Sequence, residues 1–379
     1  MHYNTSIGNI EIEFIQTDTA IITLANTLQD KKVFGFDTEF DRFWREYGFK
    51  LFLLQIFDGE KCYLVDPLAC KNLQPLWSIF ENPAICKVAY ACAEDVQILK
   101  INNCIPVNIF DMQVAAKLCN HKANSFSDLI GAEFNAIADK TYQRSNWRKR
   151  PLLDAQMIYA SNDVIWLIAL YNKFYALAKE RGVLEILEEE NRICENIEAS
   201  NYIVKISSKQ IAKFTAIQQT ALLSLFNVRN EIAQAYNMPP ANIVNDSLLE
   251  NIVEDKKIFY NYGFEKGFCR NMQEDEKSKQ KFINAIEEME NCKPHEIERS
   301  ERRKEPIFFA NKDKRKIEVE YNCKKINEVL CEQYGIIAGE YILRGIKKYL
   351  LAKPFAAMDV RDYQRKIIDE ICEDLEIVL

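Results

Sequence analysis

An α/β domain followed by a helix-only region is the fold class that this sequence predicts. Three observations carry the expectation. Short apolar runs with strand periodicity fill the first third of the chain, two of them lead directly into helical patterns, and past about Glu190 only helical periodicity remains. At 379 residues the chain exceeds one ordinary hydrophobic core, so two or three domains are expected.

The elements follow in order. Residues 9–15 alternate apolar and polar positions, which suits a strand with one wet face, and Thr17 or Asp18 can cap a helix through Leu28. Residues 33–40, Val-Phe-Gly-Phe-Asp-Thr-Glu-Phe, read as a buried strand, and a polar and aromatic stretch separates them from strands at 51–57 and 62–65. Turn signals at Asp58-Gly59 and Asp66-Pro67 make these three strands an antiparallel meander. A helix at 73–80, a strand at 85–90, a helix opening at Ala93, a strand at 107–110 and a helix at 112–119 complete the α/β pattern. Residues 154–177 read as one strong helix, as do residues 210–236, which stop at Pro239-Pro240, and Asp246 is placed to cap a further helix. Residues 290–306, dense in charge and carrying two prolines, read as a linker before a second helical block at 325–379.

Composition excludes several classes. Hydrophobic content of 48% with 28% charged residues describes a soluble globular protein, and no apolar run approaches the roughly 20 residues that span a bilayer. The N-terminus lacks a basic and then apolar order, so a cytoplasmic location with no membrane partner is expected. Twelve cysteines are scattered without a Cys-x-x-Cys pair, and His2, His121 and His295 are the only histidines. Reduced thiols and no zinc site follow. A net charge of -7 argues against nucleic-acid binding through bulk charge, although local basic patches remain compatible with it.

Chemistry concentrates in a set of acids. Side chains on a strand alternate faces, so Asp37 and Glu39 point the same way and repel unless a proton or cation lies between them. An Asp-x-Glu pair alone is uninformative. It gains meaning from Asp95 near a strand-to-helix junction and from Tyr159 and Asp163, four apart and sharing one helix face. Oxygen ligands without histidine or cysteine select hard cations, so two ions of magnesium or manganese are the expected cofactors. Such a pair performs phosphoryl chemistry, with Asp37 able to bridge it and un-ionised Tyr159 able to orient the attacking water.

These residues resemble the tyrosine-containing branch of the DEDD 3'-5' exonucleases, the ribonuclease D family. Further stretches are similar to it: Asp37-Thr38-Glu39-Phe40, Leu54-Gln55-Ile56-Phe57-Asp58-Gly59, Asp66-Pro67-Leu68, Glu94-Asp95-Val96, Asp111-Met112-Gln113, and Trp147 with Arg150-Pro151-Leu152. The resemblance implies a ribonuclease-H-like domain, a mixed sheet with flanking helices, that releases nucleoside 5'-monophosphates from RNA 3' ends, tRNA precursors being the expected partner. It implies Asp37, Glu39 and Asp163 at one ion, with Asp37 and, through water, Asp95 at the second. Thr38, Phe40, Arg144, Trp147 and Arg150 are candidate substrate contacts, whereas Asp111 is read as a turn or cap. Tyr90 and Cys92 stand where relatives carry histidine and glycine. Arg229, Ala233, Asn237, Pro239, Asp246 and Leu248 resemble HRDC helical modules. The expected domains are an exonuclease domain over 1–195, an HRDC-like domain over 207–290, a linker over 291–312 and a weaker HRDC-like domain over 313–379. A DNA exonuclease and a non-catalytic RNA-binding scaffold are the competing readings.

Overall fold

The computed structural model describes residues 1–5, 8–42, 46–137, 140–199, 204–291, 312–344 and 361–375. Its first half contains β1 (His2–Thr5), β2 (Gly8–Ile15), α1 (Asp18–Gln29), β3 (Val33–Arg42), β4 (Phe49–Phe57), β5 (Lys61–Val65), α2 (Gln74–Phe80), β6 (Cys86–Ala89), α3 (Ala93–Ile101), β7 (Ile109–Asp111) and α4 (Met112–Leu118). Helices α5 (Phe126–Phe134), α6 (Asp154–Asn162), α7 (Leu167–Glu180) and α8 (Leu184–Glu195) follow. The strands form one mixed sheet in the order β1-β2-β5-β4-β3-β6-β7. Strand β3 pairs parallel with β6, and β6 parallel with β7, whereas β4 and β5 are antiparallel. The carboxyl ends of β3 and β6 therefore point the same way, which is where open α/β sheets place ligands.

Strand β3 is held by what alternates along it. Phe34 and Phe36 are fully buried and meet Phe80 edge-to-face at 5.1 and 5.2 Å. Such contacts each contribute about 0.5–1.5 kcal/mol beyond area burial. Gly35 shares the other face with Asp37 and Glu39, and the chain from Val164 to Leu167 packs directly on it.

That close packing explains a departure from expectation. The helix expected over 154–177 breaks: α6 ends at Asn162, Asp163 is its C-cap, and α7 starts at Leu167. Between them the Val164 and Leu167 N–H groups donate three residues back, to Ser161 and Val164 oxygens, at 3.2 and 3.1 Å. A Cβ at Gly35 would lie 3.0 Å from the Val164 oxygen and 3.0 Å from Leu167 Cβ. Gly35→Ala is therefore expected to cost about 1–3 kcal/mol of stability and to push Asp163 away from β3. A lower urea midpoint together with weaker divalent-ion binding is the expected result.

The C-terminal half is helical, with α9 (Ser208–Lys213), α10 (Ala216–Ala235), α11 (Pro240–Ile243), α12 (Asp246–Glu254), α13 (Lys257–Tyr262), α14 (Arg270–Glu274) and α15 (Glu276–Glu287), then α16 (Lys312–Tyr334), α17 (Ile336–Leu343) and α18 (Asp362–Asp374). The helix expected over 210–236 is two helices, because Thr215 and Gln218 form a capping box that starts α10 afresh. Asn245 rather than Asp246 caps α12, accepting from the Leu248 N–H at 2.8 Å, while Asp246 pairs with buried Arg229 at 2.5 Å.

Contacts divide the chain into two units. One comprises residues 1–40, 51–199 and 308–379, the other residues 41–50 and 200–307. The final helices, read from sequence as a module of their own, bury Ile326, Leu330, Ile342 and Ile368 in the same core as Val164, Leu170 and Phe174 of the first unit. Buried Glu190 of α8 ties them there, accepting from Arg344 at 2.5 Å and the Tyr363 hydroxyl at 2.6 Å and forming an ion pair with the Arg361 guanidinium at 2.6 Å. The second unit packs Leu222, Leu225, Phe226, Leu249, Phe268 and Phe282. The expected linker lies almost wholly outside the described residues.

Candidate active site

Three segments bring the acids together. Asp37 and Glu39 lie on β3, Asp163 is delivered by the turn that Gly35 admits, and one carboxylate oxygen of each lies within 4.8 Å of the others. Asp95 stands in the first turn of α3, is 7% exposed and accepts a hydrogen bond from the Thr38 hydroxyl. It is outside that close set, although its charge bears on Asp37.

Burial and mutual repulsion disfavour the ionised forms. Desolvation pushes Asp37 and Glu39 well above the usual carboxylate range, and neighbouring acids push them further. Desolvation moves Asp95 up to about 6 and Asp163 up to about 7. The cleft is lined by Asp37, Thr38, Glu39, Tyr90, Phe126, Gln143, Tyr159 and Asp163, with no cationic side chain among them. Clustered carboxylates with no cationic side chain among the described residues that line the cleft fit hard divalent cations.

The pH dependence follows with a definite sign. Without ions, the folded state holds protons on Asp95 and Asp163 that the unfolded chain releases near the ordinary carboxylate pKa, so stability falls as pH rises from about 4 to about 7. Divalent ions compete with those protons. The rise in Tm on adding manganese is expected to be larger at pH 8 than at pH 5.5; an equal rise at both contradicts this electrostatic account.

Comparison with known proteins bears on what the cluster serves. Residues 12–178 match the 3'-5' exonuclease family model, a span that contains Asp37, Glu39, Asp95, Tyr159 and Asp163. The chain is 33% identical over 180 residues to ribonuclease D of Shewanella sp. strain ANA-3, covering 47% of this chain and 46% of that protein. It is 31% identical over 183 residues to ribonuclease D of Escherichia coli K12, covering 48% of each. Over its first half the chain is similar to ribonuclease D and matches the 3'-5' exonuclease family. The chain spans about half the length of these curated relatives in the matches. The crystal structure of E. coli RNase D superposes with a TM-score of 0.75 at 19% identity, covering 96% of this chain and 99% of that one, so the fold likeness extends through the helical half. DEDD-type exonuclease domains use divalent metals, in keeping with the acid cluster.

Within this exonuclease domain the remaining expected residues fall into two groups. Thr38 lines the cleft, and Tyr159 lines it with a phenol held far above its usual pKa by burial and by Asp163, so the hydroxyl keeps its proton. Phe40 is half-buried and Arg144 exposed, and neither is among the lining residues. Trp147 and Arg150 lie behind the site. Trp147 is buried, its ring 5.9 Å from that of Tyr159. Arg150 forks onto buried Asp66 at 2.6 and 2.8 Å and donates to the Trp147 oxygen at 2.6 Å and the Phe52 oxygen at 2.7 Å. With its donors turned inward, Arg150 braces the tyrosine's support, and the expected phosphate contact does not fit this placement.

Asp111 is a cap, as expected. It starts α4 by accepting from the Gln113 N–H at 2.8 Å, and it also holds the Ala91 N–H at 2.9 Å and the Cys92 N–H at 3.3 Å. Ala91 sits at φ 54, so this carboxylate fixes a left-handed turn between Tyr90 and the helix that carries Asp95. Tyr90, Phe126 and Gln143 were not among the expected site residues. The one available signal was Tyr90 itself, read in the sequence as a departure from the pattern of the resembled family.

Proposed function

We propose that the chain is a two-metal-ion 3'-5' exoribonuclease that hydrolyses RNA 3' ends to nucleoside 5'-monophosphates, with tRNA precursors as its substrates. The observation that carries this reading is the meeting of Asp37, Glu39 and Asp163 in one cleft of an exonuclease domain, with Asp95 beside them. The E. coli relative of matching fold is described as an exoribonuclease involved in structured RNA processing, which supports RNA as the substrate class.

Each side chain has a part. Asp37 would serve both ions, Glu39 and Asp163 the one on the nucleophile side, and Asp95 the other through water. Magnesium or manganese bound there supplies the positive charge that lowers the pKa of attacking water and stabilises an in-line displacement at phosphorus. Tyr159, protonated throughout, orients that water and does not act as a base. Trp147 and Arg150 keep the Tyr159 ring in place. Residues 207–290, in which Arg229 grips Asp246, are read as an HRDC-like module and residues 313–379 as a weaker one.

Matched RNA and DNA oligonucleotides test the substrate class. The expected result is release of nucleotides from RNA at a higher kcat/KM than from DNA of the same sequence. Equal or faster DNA cleavage contradicts the reading, because the acids act on phosphate and do not themselves distinguish the sugars.

A further inference from the structure

Cys92 and Cys194 lie 102 residues apart in the chain, yet their Sγ atoms approach to 3.8 Å. Cys92 is fully buried and sits at the N-cap of α3, whose first turn carries Asp95. Cys194 lies on α8 and is partly exposed. A solute from solvent therefore reaches Cys194, while the Cys92 thiol is enclosed beside it and 3.8 Å from Asp111 Oδ2. A thiol pair in a core is by default inert packing. Two features set this one apart: one member is open to a reagent, and the other is joined to the helix that holds an acid of the site.

The arrangement suits a two-electron oxidation with hydrogen peroxide as the oxidant. The Cys194 sulfur attacks one peroxide oxygen, the O–O bond breaks, and water leaves to give a sulfenic acid at Cys194. The Cys92 sulfur then attacks the Cys194 sulfur, the S–OH bond breaks, and the hydroxide leaves with the Cys92 proton as a second water. Two thiols and one hydrogen peroxide give one disulfide and two waters. We propose that Cys92 and Cys194 form an oxidative modification site, a disulfide whose closure draws the start of α3 toward α8 and weakens ion binding at the acid cluster.

The direction of that movement follows from what is fastened. A disulfide holds its sulfurs at about 2 Å, so the two side chains and the backbone behind them must close the gap. On α8, Asn191 accepts from the Asp111 N–H at 3.1 Å and Glu195 accepts from the Ile109 N–H at 2.9 Å, one on each side of Cys194. At Cys92 no side chain caps the helix, and its N–H reaches the Asp111 carboxylate at 3.3 Å. The shift therefore falls on α3, and it carries Asp95 away from the Thr38 hydroxyl that donates to it. What oxidation does to nucleotide release rests on the exonuclease reading above.

Two measurements on the full chain test the proposal. In the first, protein treated with hydrogen peroxide is alkylated, digested with trypsin and weighed by mass spectrometry. Residues 88–100 and 193–205 are tryptic peptides with one cysteine each. The expected product is the two joined, lighter by two hydrogens than the separate peptides and parted by dithiothreitol. In the second, manganese affinity is read by calorimetry before and after oxidation, with nucleotide release from RNA followed alongside. Oxidation should weaken manganese binding roughly tenfold and lower nucleotide release, and dithiothreitol should restore both. Cys194→Ser and Cys92→Ala should bind manganese as the parent does and lose the response to peroxide. Weaker manganese binding by the joined form supports the proposal even if no RNA is hydrolysed, in which case the exonuclease reading alone fails. Peptides that stay unjoined, unchanged manganese affinity in the joined form, or a peroxide response that persists in Cys194→Ser overturns it.

Discussion

Asp37→Asn is expected to lower nucleotide release from RNA by about 1,000-fold or more while leaving the protein folded. An amide keeps the shape of the carboxylate but not its charge, and a ligand serving both ions underlies several kcal/mol of transition-state stabilisation. Stability should move the opposite way. Asp37 is half-buried among Asp95, Asp163 and Glu39, all of which oppose its ionisation. Removing its charge relieves that repulsion, so the metal-free variant should melt above the metal-free parent near neutral pH, and manganese should raise its Tm less. Thermal melts with and without manganese check both signs. A variant that simply misfolds would lose activity and melt lower, which separates the two explanations.

Arg150→Ala is expected to be the most damaging change outside the acids. Asp66 is 1% exposed and its carboxylate would lose both guanidinium bonds, keeping the Leu68 N–H at 3.0 Å. Breaking one side of a buried pair costs about 3–5 kcal/mol, and the remaining hydrogen bond places this case at the low end. The effect should also reach catalysis, because Arg150 holds the Trp147 oxygen and Trp147 packs against Tyr159. The expected signature is a fall in kcat with KM little changed, whereas loss of a phosphate contact would raise KM. Asp66→Ala should act through the same pair, so the double variant should be far less than additively worse. Arg150→Lys should recover little, since an ammonium cannot fork onto the carboxylate.

The acids on β3 were legible in sequence because strand periodicity is local: Asp37 and Glu39 share a face whatever the rest of the chain does. Asp95 and the Tyr159 to Asp163 spacing were legible as types and intervals. The break after Asn162 was not, because Val164, Ile165, Trp166 and Leu167 continue a helical apolar pattern with no proline or glycine among them. What breaks the helix is contact with Gly35, more than a hundred residues earlier in the chain. Arg150 was misread for the same reason. A basic run shows its charge but not its partner, and Asp66 lies 84 residues away. Asp66-Pro67-Leu68 and Arg150-Pro151-Leu152 both stand among the family-like stretches, the one signal in the sequence that connects the two. Thr215 and Gln218 are different: their capping box is a local signal, readable in the sequence, and it marks a helix start inside what periodicity alone runs together.

The central claim is that the acid cleft removes single nucleotides from an RNA 3' end with the help of divalent cations. The most direct measurement follows a 5'-labelled RNA carrying a 3' extension, incubated with the purified chain and manganese or magnesium, by gel and by chromatography of the released products. The account predicts stepwise shortening from the 3' end, nucleoside 5'-monophosphates as the only small product, and complete arrest on chelation. Internal cleavage, shortening from the 5' end, release of 3'-phosphates or activity that survives chelation would contradict it.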